Sequence, residues 1–386
     1  MQSRVTIPQN VVVVTHTFFY GASEALSGYL VGKSISTHWY IGHPLRPEQP
    51  MGVSRMYADG KLTSESRWRV WKSGTLLSYT TDMMCTFLLI LRYPRPIELF
   101  IGINPLNAFC GIMLRKFKRV ERVVFYAIDF VPKRFSWSIV NTLYHRLESY
   151  VVRNADVCWN VSPKIAEGRE RYLGIDSEKY QQQVVPIGIW QKDMASDIKR
   201  ANDNRIIFVG HLLEKQGVQV VLRALPKVIK YIPDVTFTII GGGEYENTLR
   251  ALSNSLRLDS HVKFLGWESR QEMIRNKLLR SDIAVAVYSS DGEKDTNFTY
   301  YADPTKIKTY LSCGLPVVLT PVSYNAKELE RKGAAYLVKY TEEDVSTVLI
   351  SLLTHLEKLR KAKQNALACV RAYTWERIFS TAFNRL

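Results

Sequence analysis

Three stretches in the second half of the chain combine glycine, lysine and hydroxyl side chains in patterns suited to holding phosphate. The first runs Gly210-His211-Leu212-Leu213-Glu214-Lys215-Gln216-Gly217, directly after the apolar run Ile206–Val209. A glycine at a strand end lets the chain turn tightly and approach a ligand, and Lys215 offers a point charge to a diphosphate. The plain alternative is an ordinary strand-to-helix loop with a solvated lysine. The second is Gly241-Gly242-Gly243-Glu244, after Thr238-Ile239-Ile240. Bare backbone there leaves room for a base, ribose or phosphate, and a helix starting near Glu244 offers free N–H groups. One or two glycines would serve a tight turn; three point to close approach by something else. The third is Asp303-Pro304-Thr305-Lys306, with Thr309 one turn on and Gly314 closing the helix. Asp303 reads as the cap and Pro304 as the first turn, so Thr305 and Lys306 flank a helix N-terminus that favours anions. A well-capped structural helix is the alternative.

The first half offers fewer such residues. His16 and Gly21 follow the run Val11–Thr15, and Asp129 follows Tyr126-Ala127-Ile128. A carboxylate or imidazole at the end of a strand can take a proton from an acceptor hydroxyl, so Asp129 and His16 are the candidate catalytic groups. Asp129 reads equally as a loop cap or as the partner of Lys133 or Arg134, and His16 as a structural histidine. Gly21 would let its loop pass close to phosphates.

Positioning these groups requires strands that end beside them. β-Branched runs alternate with longer amphipathic stretches, the pattern of βαβ units and parallel sheets. Expected strands are Val11–Thr15, Trp39–Ile41, Leu99–Ile103, Val123–Ile128, Val157–Val161 and Val184–Pro186, with helices at 22–33, 75–91, 105–118, 137–153 and 163–172. Residues 44–74 are rich in Arg, Trp and turn formers and receive no assignment. A polar stretch at 191–204 reads as a linker. A second series then starts: strands Ile206–Val209, Val235–Ile240, Val262–Leu265, Ile283–Val287, Val317–Leu319 and Ala335–Val338, with helices at 217–232, 244–257, 269–280, 304–313, 324–332 and 342–367. Two series, each opening on a strand, predict two Rossmann-like, doubly wound α/β domains facing a central cleft lined by strand carboxyl ends.

The runs FVGHLLEKQG, TIIGGGEYENTLRAL, VKFLGW, SDIAVAVY and DPTKIKTYLSCGLPVV, across residues 206–340, resemble the donor domain of GT-B glycosyltransferases of family 4 (group 1). The closing YTWERI around Trp375 resembles the end of such proteins, and VSPKI and VVPIG match the segments before the hinge. The resemblance implies an acceptor-binding domain at 1–190, a linker at 191–204, a donor domain at 205–367 and a last helix at 368–386 that crosses back. It implies a hexosyltransferase-like enzyme taking a nucleoside diphosphate-sugar, with no cofactor and no metal; no Asp-x-Asp motif is present to hold one. Gly210, His211, Lys215, Gly241–Gly243, Asp303, Thr305, Lys306 and Thr309 form the expected donor site, approached by Gly21. His211 stands where the family has Arg, Gln216 where it has Lys, and Tyr301 and Thr309 where it has paired glutamates, marking a divergent branch. A degenerate binding subunit and a sugar-nucleotide epimerase are the competing readings.

Composition agrees with phosphate-bearing partners. The 386 residues carry a formal charge of +16, with a pI near 9.5, spread along the chain rather than held in a tail, which argues against nucleic acid. Five cysteines without metal-ligand spacing suit reduced thiols in the cytoplasm. The chain opens without the pattern of a signal peptide, and no apolar run approaches the roughly 20 residues of a membrane span. Arg115, Lys116, Lys118, Arg119 and Arg122 surround Phe117 and predict a peripheral contact with an anionic inner membrane face, where a glycan or lipid-linked acceptor for cell-surface polysaccharide or glycoconjugate synthesis would lie.

Overall fold

A computed structural model of the chain describes residues 7–17, 21–44, 51–69, 75–198, 202–289 and 298–386. The chain divides into two compact units. The first comprises Met1–Ile187, Tyr301–Asp303 and Trp375–Leu386; the second comprises Gly188–Tyr300 and Pro304–Thr374.

In the first unit, eight strands form one sheet: β1 (Asn10–Thr17), β2 (Thr37–Pro44), β3 (Met51–Ala58), β4 (Lys61–Arg69), β5 (Ile97–Ile103), β6 (Val120–Ala127), β7 (Val157–Asn160) and β8 (Gln182–Val184). Their order is β4-β3-β2-β1-β5-β6-β7-β8, and all neighbours are parallel except the β2–β3 and β3–β4 pairs. Val11–Val14 are fully buried, as expected of a parallel strand covered on both faces. The unassigned stretch contains the hairpin of β3 and β4. Its turn is Asp59-Gly60, with both residues at positive φ (48° and 76°), the geometry of a two-residue type I′ connection. β4 is exposed along nearly its whole length. Without one buried face, the alternation that betrays a strand is absent.

The second unit holds β9 (Arg205–Val209), β10 (Thr236–Ile240), β11 (Val262–Phe264), β12 (Ile283–Ala286), β13 (Val317–Leu319) and β14 (Ala335–Leu337), all parallel, in the order β11-β10-β9-β12-β13-β14. This is the Rossmann order, which reverses direction between β9 and β12. The continuous helix expected at 342–367 is two helices, Glu342–Thr354 and Leu356–Val370, separated by His355.

Asp303 does not cap the helix after it. That helix spans Thr305–Ser312 with Pro304 at the cap position. Asp303 is buried in the first unit, where its Oδ2 accepts the Ile187 N–H at 2.7 Å. Beside it, the Tyr301 carbonyl accepts from Ser162 Oγ at 2.7 Å. The final helix, Trp375–Phe383, packs on the same unit. Its Phe383 ring stacks on Tyr29, and Ser380 Oγ bonds the Tyr29 hydroxyl at 3.0 Å. All five cysteines are free thiols.

Candidate functional site

Ligands of open α/β sheets sit outside the strand carboxyl ends, where strand order reverses. In the second unit that place lies between the ends of β9 and β12, and Lys306 occupies it. Its Nζ donates to Gln216 Oε1 at 2.5 Å and lies 4.4 Å from the centre of the Phe208 ring of β9 and 5.4 Å from that of Tyr288, just after β12. Lys306 is half-buried, its ammonium is packed against two rings, and burial pushes its pKa down to about 7. Loss of hydration penalises the charged form of a lysine, which accounts for the direction.

Gly210 keeps this space clear. A Cβ built on it would stand 2.6 Å from Lys306 Nζ, and its φ of +151° disfavours any other residue. Gly241 and Gly243 have a different role from the one expected of them. A Cβ on Gly241 would stand 1.8 Å from the Gly210 carbonyl oxygen, and one on Gly243 would stand 2.4 Å from that of Leu212. Both glycines therefore serve the packing of two loops on each other. That packing is pinned by Leu212 N–H donating to the Gly242 carbonyl at 3.0 Å and Tyr245 N–H to that of Leu212 at 3.1 Å. Gly242 alone of the three meets only ordinary contacts, with Glu246 and Trp267. The helix that follows begins at Glu246 rather than Glu244.

His211 is exposed, with its ring beside Gly243. Lys215 lies in the turn Glu214–Gln216, where burial lowers its pKa against an opposing pull from Glu244. Thr305 is exposed at the first turn of its helix, and its carbonyl accepts from Thr309 Oγ1 at 3.2 Å. The structure thus gathers Gly210, His211, Gly241, Gly242, Gly243 and Lys306 at one end of one sheet. Trp267 was missed. It is exposed and adjoins Gly242, a flat face next to bare backbone, and its position at the end of VKFLGW was the available signal.

The first unit reverses strand order between β1 and β5, and a buried polar cluster lies at these strand ends. His16, near the end of β1, accepts at Nδ1 from Asn104 Nδ2 (2.8 Å) and Asn107 Nδ2 (3.2 Å), while Nε2 faces Asp82 Oδ2 at 3.3 Å. Asp82 Oδ1 stands 3.6 Å from His43 Nδ1, and His43 Nε2 bonds Thr86 Oγ1 at 2.7 Å. His16 is thus a buried imidazole whose Nδ1 is taken by two asparagines and whose Nε2 faces a carboxylate. Asn104 takes up a φ of +77°, a costly conformation for a non-glycine residue, and its side-chain oxygen caps helix Pro105–Lys116 by accepting from Asn107 N–H. Asp82 and His43 were also missed. Asp82 is the one charged residue in the apolar helix Thr75–Leu91, which was its signal.

Asp129 follows β6 and is partly exposed. It accepts a hydrogen bond from Arg134 Nη2 at 2.6 Å, the ion pair that was the alternative reading. Arg134 lies 5.2 Å from the Tyr144 ring centre. The phenol of Tyr79 is raised in pKa mainly by burial, with Arg134, Asp82 and Asp129 all acting on it, and its ring meets the His16 ring edge-on at 5.6 Å. Tyr79 thereby links the two groups expected to be catalytic. Gly21 precedes helix Ala22–Gly32, and its N–H is taken by Glu24 Oε2 at 3.1 Å.

The basic cluster is less free than its sequence implies. Arg115 pairs with Asp156 at 2.5 Å, Arg119 donates to the carbonyls of Ile90 and Tyr93, and Arg122 donates to that of Leu386. Lys116, Phe117 and Lys118 remain exposed. Among the described residues, no helix is long and apolar enough to cross a membrane.

Residues 191–368 match the family of glycosyl transferases, group 1. This group 1 segment contains the entire Lys306 site. Part of the chain is 32% identical over 172 residues, 43% of its length, to a GDP-mannose-dependent monoacylated alpha-(1-6)-phosphatidylinositol monomannoside mannosyltransferase of Corynebacterium glutamicum. The match spans 42% of that relative, less than half its length. Sucrose-phosphate synthase of Thermosynechococcus elongatus superposes with a TM-score of 0.73 at 14% identity, over 97% of this chain and 98% of that one. Anabaena Alr3699/HepE, solved with UDP and glucose, gives 0.67 at 13% identity, over 98% and 100%. These likenesses show the fold: the group 1 segment forms one of the two Rossmann-like halves of a GT-B glycosyltransferase architecture.

Proposed function

We propose that this chain is a glycosyltransferase moving a hexose from a nucleoside diphosphate-sugar to a glycan or lipid-linked acceptor, in the assembly of a cell-surface polysaccharide or glycoconjugate. The observation that carries the reading is the Lys306 ammonium, held over Gly210 at the switch point of the group 1 segment. Positive charge there would stabilise the negative charge that develops on a departing diphosphate. In this reading Lys215, Thr305, Thr309 and the Gly242 backbone would also contact the diphosphate, and Trp267 would offer a stacking face for the base. In this reading the leaving group is neutralised by these side chains, with no cofactor or metal. GDP-mannose is the donor to test first, because the relative in Corynebacterium is named for it.

In the first unit, Asp129 is our candidate to receive the acceptor proton, with Arg134 holding its carboxylate. The same relative's phosphatidylinositol-based substrate points to a glycolipid acceptor. Exposed Leu88 and Leu91, with Phe117 between Lys116 and Lys118, offer a contact with an anionic bilayer. Arg119 ties the Phe117 turn to the end of the helix carrying Leu88 and Leu91. We therefore place the protein at the cytoplasmic face of a membrane.

The test is release of nucleoside diphosphate from GDP-mannose and UDP-glucose, with and without vesicles carrying a phosphoinositide glycolipid. Acceptor-stimulated release by the wild type, lost in Lys306→Ala, is expected. Tight donor binding without turnover for any acceptor would favour the binding-subunit reading instead.

A further inference from the structure

Two side chains of different chemistry flank the bare backbone of Gly242. A Cβ built there would stand 3.6 Å from Glu246 Oε2 and 3.9 Å from Trp267 Cβ. Trp267, just after β11, is exposed, while Glu246 opens the helix Glu246–Ser255 and is half-buried. Arg250, one turn along that helix, fixes the carboxylate. Its Nε and Nη2 both donate to Oε1, at 2.9 and 2.8 Å, and its guanidinium lies 4.5 Å from the centre of the Phe264 ring of β11. An arginine fork commonly spreads over both oxygens of a carboxylate. Here it takes one, and among the described residues none donates to Oε2. An ordinary ion pair one helical turn apart accounts for Oε1. It does not call for Oε2 to stand against a glycine and beside an indole.

An ionised carboxylate only accepts hydrogen bonds. A base lying on the Trp267 face with its edge towards Oε2 must therefore offer donors there. Guanine does so, with N1–H and the 2-amino group side by side on one edge. Uracil presents a single N–H between two carbonyl oxygens, and those oxygens would meet the carboxylate unfavourably. We propose that Glu246 reads the base of the donor, with Oε2 accepting from the N1–H and 2-amino edge of guanine, so that the site selects GDP over UDP. The proposal rests on the donor-site reading above, in which Lys306 meets the diphosphate whatever the base. A hydrogen bond to a charged group is worth enough for GDP to bind at least about tenfold more tightly than UDP.

The experiment is calorimetric titration of the full chain with GDP, inosine diphosphate and UDP. Wild type should bind GDP at least about tenfold more tightly than UDP. Inosine diphosphate, which differs from GDP only in lacking the 2-amino group, should fall between them. In Glu246→Gln, Arg250 holds the amide oxygen and the amide nitrogen faces the base, so the preference for GDP should disappear while UDP binds no more weakly. Lys306→Ala should weaken all three nucleotides alike and leave their order intact. The wild-type comparison needs no variant, so it decides the matter even if Glu246→Gln does not fold. Wild-type affinity for UDP equal to or above that for GDP, or a GDP-to-UDP ratio unchanged in Glu246→Gln, overturns this inference and leaves the donor site standing. No binding of any of the three overturns both.

Discussion

His16 Nε2 lies 3.3 Å from Asp82 Oδ2, and both side chains are buried. Asn104 and Asn107 occupy the other ring nitrogen, and His43 faces the second carboxylate oxygen. The switch point of the first unit thus carries a buried polar network, whereas at that of the second Gly210 leaves room for the Lys306 ammonium. Asp82→Ala would leave two buried imidazoles facing an empty space. Orphaning a buried polar group costs about 1–3 kcal/mol, so thermal unfolding should shift down measurably. Nucleotide binding by the group 1 segment should be retained. An unchanged melting temperature would show that the network is not structural.

The three consecutive glycines should separate by consequence. Gly241→Ala and Gly243→Ala force a Cβ to 1.8 Å and 2.4 Å from carbonyl oxygens of the neighbouring loop. Both should destabilise the second unit and lower its melting temperature. Gly242→Ala meets only ordinary contacts, so it should fold as wild type while weakening nucleotide binding. Circular dichroism melts alongside nucleotide titration check this. Equal stability of all three variants would contradict the loop packing described.

Asp129→Asn should depress turnover while sparing donor affinity, since the proposed base acts on the acceptor. A positioned general base contributes about 10²–10⁴-fold, so steady-state kinetics should show a loss of at least about a hundredfold in kcat. Arg134→Gln, which frees the carboxylate from its partner, should lower kcat in the same direction but less. Wild-type turnover in Asp129→Asn would remove it as base.

Membrane contact should follow exposure and not charge count. Leu88→Ser with Leu91→Ser, or Phe117→Ser, should reduce co-sedimentation with phosphatidylserine-containing vesicles. Lys116→Gln with Lys118→Gln should do the same and flatten its salt dependence. Arg115 is committed to Asp156, so Arg115→Gln should change stability more than vesicle binding. Equal loss from all these changes would return the contact to a diffuse electrostatic one.

The central parallel strands were legible because they are buried on both faces and read as apolar runs, as in Val11–Val14 and Ile206–Phe208, whereas the edge strand Gln182–Val184 is only partly buried. The β3–β4 hairpin was not, because β4 is exposed and its alternation carries no signal; only the Asp59-Gly60 turn announced it. Asp303 before Pro304 has the local grammar of a helix cap. Its carboxylate is instead claimed by Ile187, 116 residues earlier, a contact that no local pattern encodes. The Lys306 site was legible in its parts but not in its pairing. Gln216 and Lys306 are 90 residues apart and meet only because β9 and β12 are neighbours in the sheet. Three glycines looked like room for a ligand, although two of them serve loop packing.

The central claim is that the group 1 segment holds a nucleoside diphosphate at Lys306, and a thermal-shift titration of the full chain with GDP-mannose and UDP-glucose tests it most directly. At 100 times its dissociation constant, a donor should stabilise the wild type by about 2.7 kcal/mol. Lys306→Ala should lose nearly all of that shift, and Trp267→Ala part of it. A shift of the same size in Lys306→Ala as in the wild type would contradict the account.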